Sequence, residues 1–291
     1  MKRKTKQLDR RSLLTGAAVA SLAAIADGPQ AKAQVSAPAV AGAKGATTDL
    51  QVANRGQYAK VPLKQEVINV AAIQSQLYSI DLRDHAATLQ RNLQRALRLI
   101  DLAQNSPEEW NGERRWGSKV DLLSMHEFPV QGFQPWTRKE LNRVAFELPG
   151  PESAAIGERA RRYGCYISWG CYAKEKDWPD HVINMSVLTG PDGNIVSKQW
   201  KARNILGLFG DGALIGTTVY DVLERYVEMY GWDAVLPVAR TDIGNIAITA
   251  VGAEPLLYTC LGLKGAEILV LSVTGDRKST RLNSSHSDRS R

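Results

Sequence analysis

The sequence predicts an α/β fold, because apolar segments of strand length alternate with segments that have the apolar spacing of helices. The clearest unit spans residues 243–270, where a short apolar strand is followed by a bend at Gly252. Pro255 suits the first turn of a helix, where its missing N–H is not needed, and Gly265 ends that helix before the apolar residues 268–270. Strand, helix and second strand predict a βαβ unit. The end of its first strand is a usual place for reactive side chains in such folds.

The elements nearer the N-terminus follow the same alternation. Residues 67–73 are almost continuously apolar, which predicts a strand that is covered on both faces. Apolar residues at three-to-four spacing then predict an amphipathic helix over residues 82–103, with Asp81 as its cap. A second strand over residues 120–125 ends just before Glu127, so this carboxylate is placed at the end of a strand.

The middle of the chain predicts a helix and three strands. The helix covers residues 152–162 and a strand follows at 165–173. The next two strands, 182–188 and 195–200, are joined by Gly190-Pro191-Asp192-Gly193. Because this tetrapeptide is a strong turn signal, the two strands are expected to form a hairpin.

The segment between this hairpin and the βαβ unit is rich in glycine at its start. Glycines between residues 203 and 216 predict a mobile loop. A helix over residues 219–230 follows, with apolar and aromatic residues on one face, and the strand 235–239 leads into the βαβ unit.

The first 33 residues predict an export signal. The motif Asp9-Arg10-Arg11-Ser12-Leu13-Leu14 resembles a twin-arginine signal, and Ala31-Lys32-Ala33 fits a cleavage site. The apolar run between them is too short and too rich in alanine for a stable membrane span. We therefore expect a periplasmic protein, in which residues 34–66 form a linker or arm.

The distribution of charge along the chain implies no nucleic-acid partner. The chain of 291 residues has a net charge of +7, but residues 1–33 and 276–291 together hold 12 of the 37 basic residues and 4 of the 30 acidic ones. The remaining part is therefore close to neutral, whereas nucleic-acid-binding domains have basic surfaces.

Cysteine and histidine positions predict neither a disulfide nor a metal site. Cys165 and Cys171 lie in one predicted strand, roughly 20 Å apart at strand rise, which is too far for a disulfide. Cys260 lies among leucines in a helix and is interpreted as a buried structural thiol. The histidines are scattered along the chain, so we expect no metal and no cofactor.

The βαβ unit resembles the nucleophile segment of the nitrilase, or carbon–nitrogen hydrolase, superfamily. In that family a strand delivers a cysteine, a proline follows six residues later, and the helix closes on a motif matched here by Gly265-Ala266-Glu267. Counting six residues back from Pro255 gives Thr249, so a threonine stands at the nucleophile position. The acidic residue that usually follows two places later is replaced by Val251.

Two other motifs carry the same resemblance. Glu127 lies where the family has its general-base glutamate, before an aromatic motif matched by Gly132-Phe133. The family's catalytic lysine falls eight residues after the last glycine of the hairpin turn, which is Lys201. Family members often have a supporting acidic residue as well, and Asp211 and Glu224 are both candidates.

The resemblance implies a four-layer αββα sandwich over residues 67–275. Since the family normally continues with further strands and a helix, the resemblance implies that this sandwich is C-terminally truncated. Residues 276–291 look like a translated sequencing adapter, and we expect this tail to be foreign. The resemblance also implies a homo-oligomer.

Two functional hypotheses follow from these residues. Hydrolysis of a small amide, carbamoyl or nitrile compound needs a nucleophile, a base and a positive group, and Thr249, Glu127 and Lys201 would supply them. A hydroxyl is a poorer nucleophile than the family's thiol, so the alternative is an inactive member that binds a small ligand in the periplasm. A purely structural role has the least support, because the chain contains no repeats.

Overall fold

The structure is a computed structural model that describes residues 60–105, 109–110, 113–114, 119–204, 216–252 and 254–274. The predicted signal peptide, most of the predicted arm and the predicted foreign tail lie outside these residues. The helices and strands, in chain order, are β1 (Val70–Ile73), α1 (His85–Asn105), β2 (Glu109–Trp110), β3 (Glu113–Arg114), β4 (Leu122–Met125), α2 (Arg138–Val144), β5 (Phe146–Glu147), α3 (Pro151–Tyr163), β6 (Tyr166–Glu175), β7 (Trp178–Thr189), β8 (Ile195–Trp200), α4 (Leu223–Tyr230), β9 (Ala239–Thr241), β10 (Gly244–Thr249), α5 (Pro255–Leu263) and β11 (Ile268–Leu271).

The strands form two main sheets. The first has six strands in the order β1-β4-β6-β7-β8, with β5 paired to the far end of β6. Strands β1, β4 and β6 run parallel, whereas β6, β7 and β8 run antiparallel. The second sheet has three strands in the order β11-β10-β9, with β10 parallel to β11. The short strands β2 and β3 form a separate ribbon.

Alternation along the strands divides the core into two layers. One face of the first sheet packs against α1 and α3, and the buried cluster there includes Trp169, Cys171, Ile100 and Ile156. The opposite face meets the second sheet, where Leu122, Tyr166 and Leu188 contact Ile246, Ile248 and Val270. Helices on one side and a second sheet on the other confirm the predicted α/β class.

The βαβ unit and the hairpin match the sequence analysis. Strand β10 pairs in parallel with β11 and the helix α5 begins at Pro255, as the proline predicts. Strands β7 and β8 are antiparallel, and the turn between them is closed by the hydrogen bond from Gly190 N to Asn194 O at 2.8 Å.

Other predictions about local structure were wrong. The strand predicted to be covered on both faces is β1, whose one partner among the described strands is β4; Val67 and Val70 are 74% and 49% exposed. Asp81 does not cap α1, which begins at His85, because its carboxylate accepts the N–H of Arg83 in the preceding turn. Cys260 is exposed, since α5 directs Leu261 inward instead.

The strand predicted at residues 235–239 is both shorter than expected and displaced toward the C-terminus, since only residue 239 belongs to the observed strand. A 3₁₀ helix covers Trp232–Val235, and the strand itself is β9. The buried Lys264 explains the difference, because its ammonium donates to the carbonyls of Asp233 and Leu236 at 2.7 and 2.6 Å. Those carbonyls are therefore already occupied by a side chain.

Within the residues that the structure describes, none of the helices is both long enough and apolar enough to cross a membrane.

Candidate active site

The site begins where the chain leaves the first sheet after β4. The backbone of Glu127 crosses β6 at Gly170, on the face of the strand that points toward the second sheet. A Cβ atom at Gly170 would lie 2.9 Å from both the Cα and the carbonyl carbon of Glu127, and its carbonyl oxygen is closer still. Only glycine permits this crossing, which directs the Glu127 side chain over the face that points toward the second sheet.

The Glu127 carboxylate is buried, and both of its oxygens accept hydrogen bonds. One oxygen, Oε1, accepts hydrogen bonds from Asn184 Nδ2 at 2.8 Å and from Lys201 Nζ at 3.2 Å. The other oxygen, Oε2, accepts the backbone N–H of Thr274 at 3.1 Å. The side chains of Glu127 and Lys201 are only 7% and 12% exposed. Their opposite charges are thus held next to each other with little water.

The β7–β8 hairpin explains why Asn184 and Lys201 lie side by side. Lys201 N donates to Asn184 O at 2.8 Å, which continues the ladder one residue beyond β8. Lys201 lies next to one edge of β7, and at the other edge Tyr172 of β6 pairs with Asn184. The predicted base and the predicted lysine, which are 74 residues apart in sequence, therefore meet at one end of the first sheet.

Thr249 lies at the end of β10 and is 1% exposed. Its Oγ1 accepts the backbone N–H of Val251 at 3.2 Å. Its carbonyl accepts Ser272 N at 2.9 Å, which ties β10 to the end of β11. Among the described residues, its hydroxyl forms no hydrogen bond with Glu127 or Lys201. The structure thus joins two of the three predicted site residues directly, whereas the hydroxyl of the third is hydrogen-bonded to Val251.

The supporting acidic residue is not identified by these contacts. Glu224 lies in the first turn of α4 and is exposed, which does not suit a residue that supports a buried site. Asp211, the other candidate, lies outside the described residues.

Burial favours the neutral forms of Tyr172 and His126, which lie next to Glu127. Burial, and to a smaller extent the charge of Glu127, raises the pKa of Tyr172 well above its usual range. Burial, and to a smaller extent the charge of Arg95, lowers the pKa of His126 to about 4. His126 Nε2 is 2.9 Å from Ser75 Oγ. Near neutral pH, neither Tyr172 nor His126 therefore adds a charge beside the pair formed by Glu127 and Lys201.

An ion pair connects the lysine segment with the nucleophile segment. Arg203, two residues after Lys201, pairs with Glu254, which lies immediately before α5. This pair ties the end of the hairpin to the loop that follows β10.

Two of the residues that hold Glu127 were not predicted from the sequence. Gly170 and Thr274 contact Glu127 only through the tertiary structure, and Thr274 is 147 residues away in sequence. A glycine within a strand does signal close approach of another backbone, so Gly170 could have been found.

Among the described residues, no group of three or more His, Cys, Asp or Glu side chains is arranged to hold a metal ion.

Comparison with known proteins identifies a family. The model of the carbon–nitrogen hydrolase family matches residues 69–288. No curated protein matches the chain. Among solved structures, the chain is similar to a carbon–nitrogen hydrolase from Helicobacter pylori G27, with 12% identity and a TM-score of 0.51 over 75% of this chain and 66% of that one. It is also similar to an amidase from Nesterenkonia sp., with 14% identity and a TM-score of 0.47 over 73% of this chain and 68% of that one.

Proposed function

The chain belongs to the carbon–nitrogen hydrolase family, and on that premise we propose that it binds a small amide, carbamoyl or nitrile compound at Glu127 and Lys201 and hydrolyses its carbon–nitrogen bond slowly. The observation that supports this proposal is the buried Glu127 carboxylate, which accepts from Asn184 and Lys201 on one oxygen and from a backbone N–H on the other.

Each of the two charged groups has a separate task. Glu127 takes the proton from the attacking group and returns it to the leaving nitrogen. It then takes a proton from the water that releases the acyl group and returns it to the attacking group, and these acid and base roles suit a carboxylate in a buried site. Lys201 stabilises the negative charge that develops on the carbonyl oxygen or nitrile nitrogen as the attacking group adds. Because the ammonium and the carboxylate are in direct contact at 3.2 Å, the substrate's reacting atom would lie beside both groups.

Slow turnover follows from the residue at the nucleophile position. Thr249 supplies a hydroxyl, which loses its proton far less readily than the thiol used by the family. Its Oγ1 accepts the N–H of Val251, and its proton must still reach Glu127 for attack to occur. We therefore expect low turnover with an intact binding site.

Ammonia release from short primary amides tests the proposal. Glu127→Gln keeps the size of the side chain but removes its basic carboxylate, so turnover should fall at least about 100-fold. Glu175→Gln is the matched control, because Glu175 also pairs with a lysine of the hairpin, Lys198, at 2.6 Å. Equal turnover in the Glu127→Gln variant and the wild type would overturn the proposal.

A second candidate function is ligand binding without hydrolysis. The observation that favours it is the position of Thr249, whose hydroxyl bonds to Val251 and to neither charged group among the described residues. Under this alternative, wild type and Thr249→Ala bind amides equally and release no ammonia. Thr249→Cys then restores turnover that Glu127→Gln abolishes. Wild-type turnover that is lost in Thr249→Ala would exclude the alternative.

Export and assembly are further proposals for the same protein. The arginine pair Arg10-Arg11 supports export through the twin-arginine route to the periplasm. Replacing both arginines by lysine should leave the precursor inside the cell, which fractionation detects. Family membership supports a homo-oligomer, and light scattering of the purified protein measures its mass.

A further inference from the structure

The inner face of the first sheet continues beyond Glu127 and Lys201 as a row of polar side chains. Ser186 and Gln199 are directly opposite each other in the β7–β8 hairpin. Each lies two residues from a member of the site, Ser186 from Asn184 and Gln199 from Lys201. Because side chains two apart on a strand share a face, Gln199 and Ser186 point to the same side as the site.

Among the described residues, Gln199 has no hydrogen-bond partner in spite of its burial. It is 1% exposed, and neither Oε1 nor Nε2 of its amide has a partner among the described residues. Ser168 Oγ and Asn184 Oδ1, on the same face, are buried and unpartnered as well. Leaving such groups unpaired costs free energy, and native proteins satisfy the large majority of them. These atoms therefore need a partner that the described residues do not supply.

The amide of Gln199 defines what that partner must be. Its Nε2 can donate to a carbonyl while its Oε1 accepts an N–H, so another amide or a urea group satisfies both atoms at once. Side chains two apart on a strand are separated by about 7 Å. A ligand with its reacting group at Glu127 and Lys201 would thus reach Gln199 through a linker of two or three carbons.

On the basis of the function proposed above, we propose that Gln199 forms a subsite for a second amide or ureido group of the substrate. The substrate class is then a short dicarboxamide or a carbamoyl-substituted amide rather than a simple alkyl amide or nitrile. At the end of the ligand near Glu127 and Lys201, Asn184 contributes its Oδ1, which has no partner among the described residues, since its Nδ2 is already bonded to Glu127. An ordered water could also satisfy Gln199, but it would give no preference among ligands.

Calorimetric binding of two amides of equal chain length tests the subsite. Succinamide has a second carboxamide, whereas butyramide ends in a methyl group. Two additional hydrogen bonds of about 0.7 kcal/mol each predict that the wild type binds succinamide about tenfold more tightly. Gln199→Leu should remove this preference and leave butyramide binding unchanged. Gln94→Leu, an exposed position on α1, is the control and should behave like the wild type.

The outcomes separate this inference from the proposed function. Equal binding of both amides by the wild type, or a preference that survives in Gln199→Leu, overturns the subsite. The wild-type comparison needs no variant, so a folding defect in Gln199→Leu cannot hide the answer. A succinamide preference without ammonia release would sustain the subsite and refute hydrolysis. Ammonia release from butyramide without such a preference would do the reverse.

Discussion

Replacing Gly170 with alanine should damage the site while leaving the fold intact. The new Cβ would lie 2.9 Å from two backbone carbons of Glu127, whereas ordinary contacts begin at 3.4 Å. The carbonyl oxygen is closer than these carbons, so the backbone at Glu127 must move by about 1 Å, a displacement that can lower catalysis about 100-fold. Overpacking of this kind costs about 1–3 kcal/mol of unfolding free energy.

Parallel measurements of ammonia release and of urea unfolding check both numbers. The matched control is Gly262→Ala, because Gly262 is an exposed helical glycine of α5, and a methyl group added there would have nothing within 4 Å. That change should keep activity and raise stability by up to about 1 kcal/mol. Wild-type turnover in Gly170→Ala, or an equal loss in Gly262→Ala, would refute the argument that Glu127 depends on this crossing.

Two further predictions concern stability. Folding lowers the pKa of His126, so the unfolded chain binds more protons than the folded chain between about pH 6.5 and 4. The free energy of unfolding should therefore fall by up to about 3 kcal/mol as the pH decreases through this range. Urea unfolding at several pH values should show a flatter slope for His126→Asn. An unchanged slope in the variant would contradict the assignment. Ile100→Ala should lower the free energy of unfolding by about 2–5 kcal/mol, because Ile100 is fully buried against the first sheet. Leu102 is 51% exposed on the same helix, so Leu102→Ala should lower it far less. Similar losses in both variants would contradict this position of the core.

Elements defined by local signals could be predicted from the sequence. The proline and glycine that frame α5, and the turn between β7 and β8, act on neighbouring backbone, so their consequences follow from the residues themselves. Burial could not be predicted equally well. The apolar residues of β1 resemble a central strand, but in the part of the chain that the structure describes β1 pairs with β4 alone, and pairing order is set by distant parts of the chain. Cys260 was misplaced for the same reason.

The candidate site could be predicted in part. Glu127 and Lys201 could be selected because their positions match the family's glutamate and lysine motifs, and the structure places their charged atoms 3.2 Å apart. The parts that hold them could not be selected in the same way. Gly170 is small, Thr274 contributes only its backbone N–H, and Gln199 resembles any polar strand residue until its unpartnered amide is seen. These contacts arise when distant segments meet.

The central claim is that Glu127 and Lys201 act together on one bound substrate, and a double-mutant cycle of kcat/KM for ammonia release tests it most directly. The cycle uses Glu127→Gln, Lys201→Met and the variant with both changes. Because the two groups serve the same reacting atom, either single change should remove most of the activity and the double variant should be little worse than the poorer single one. Losses that multiply, or single variants with wild-type kcat/KM, would contradict the claim.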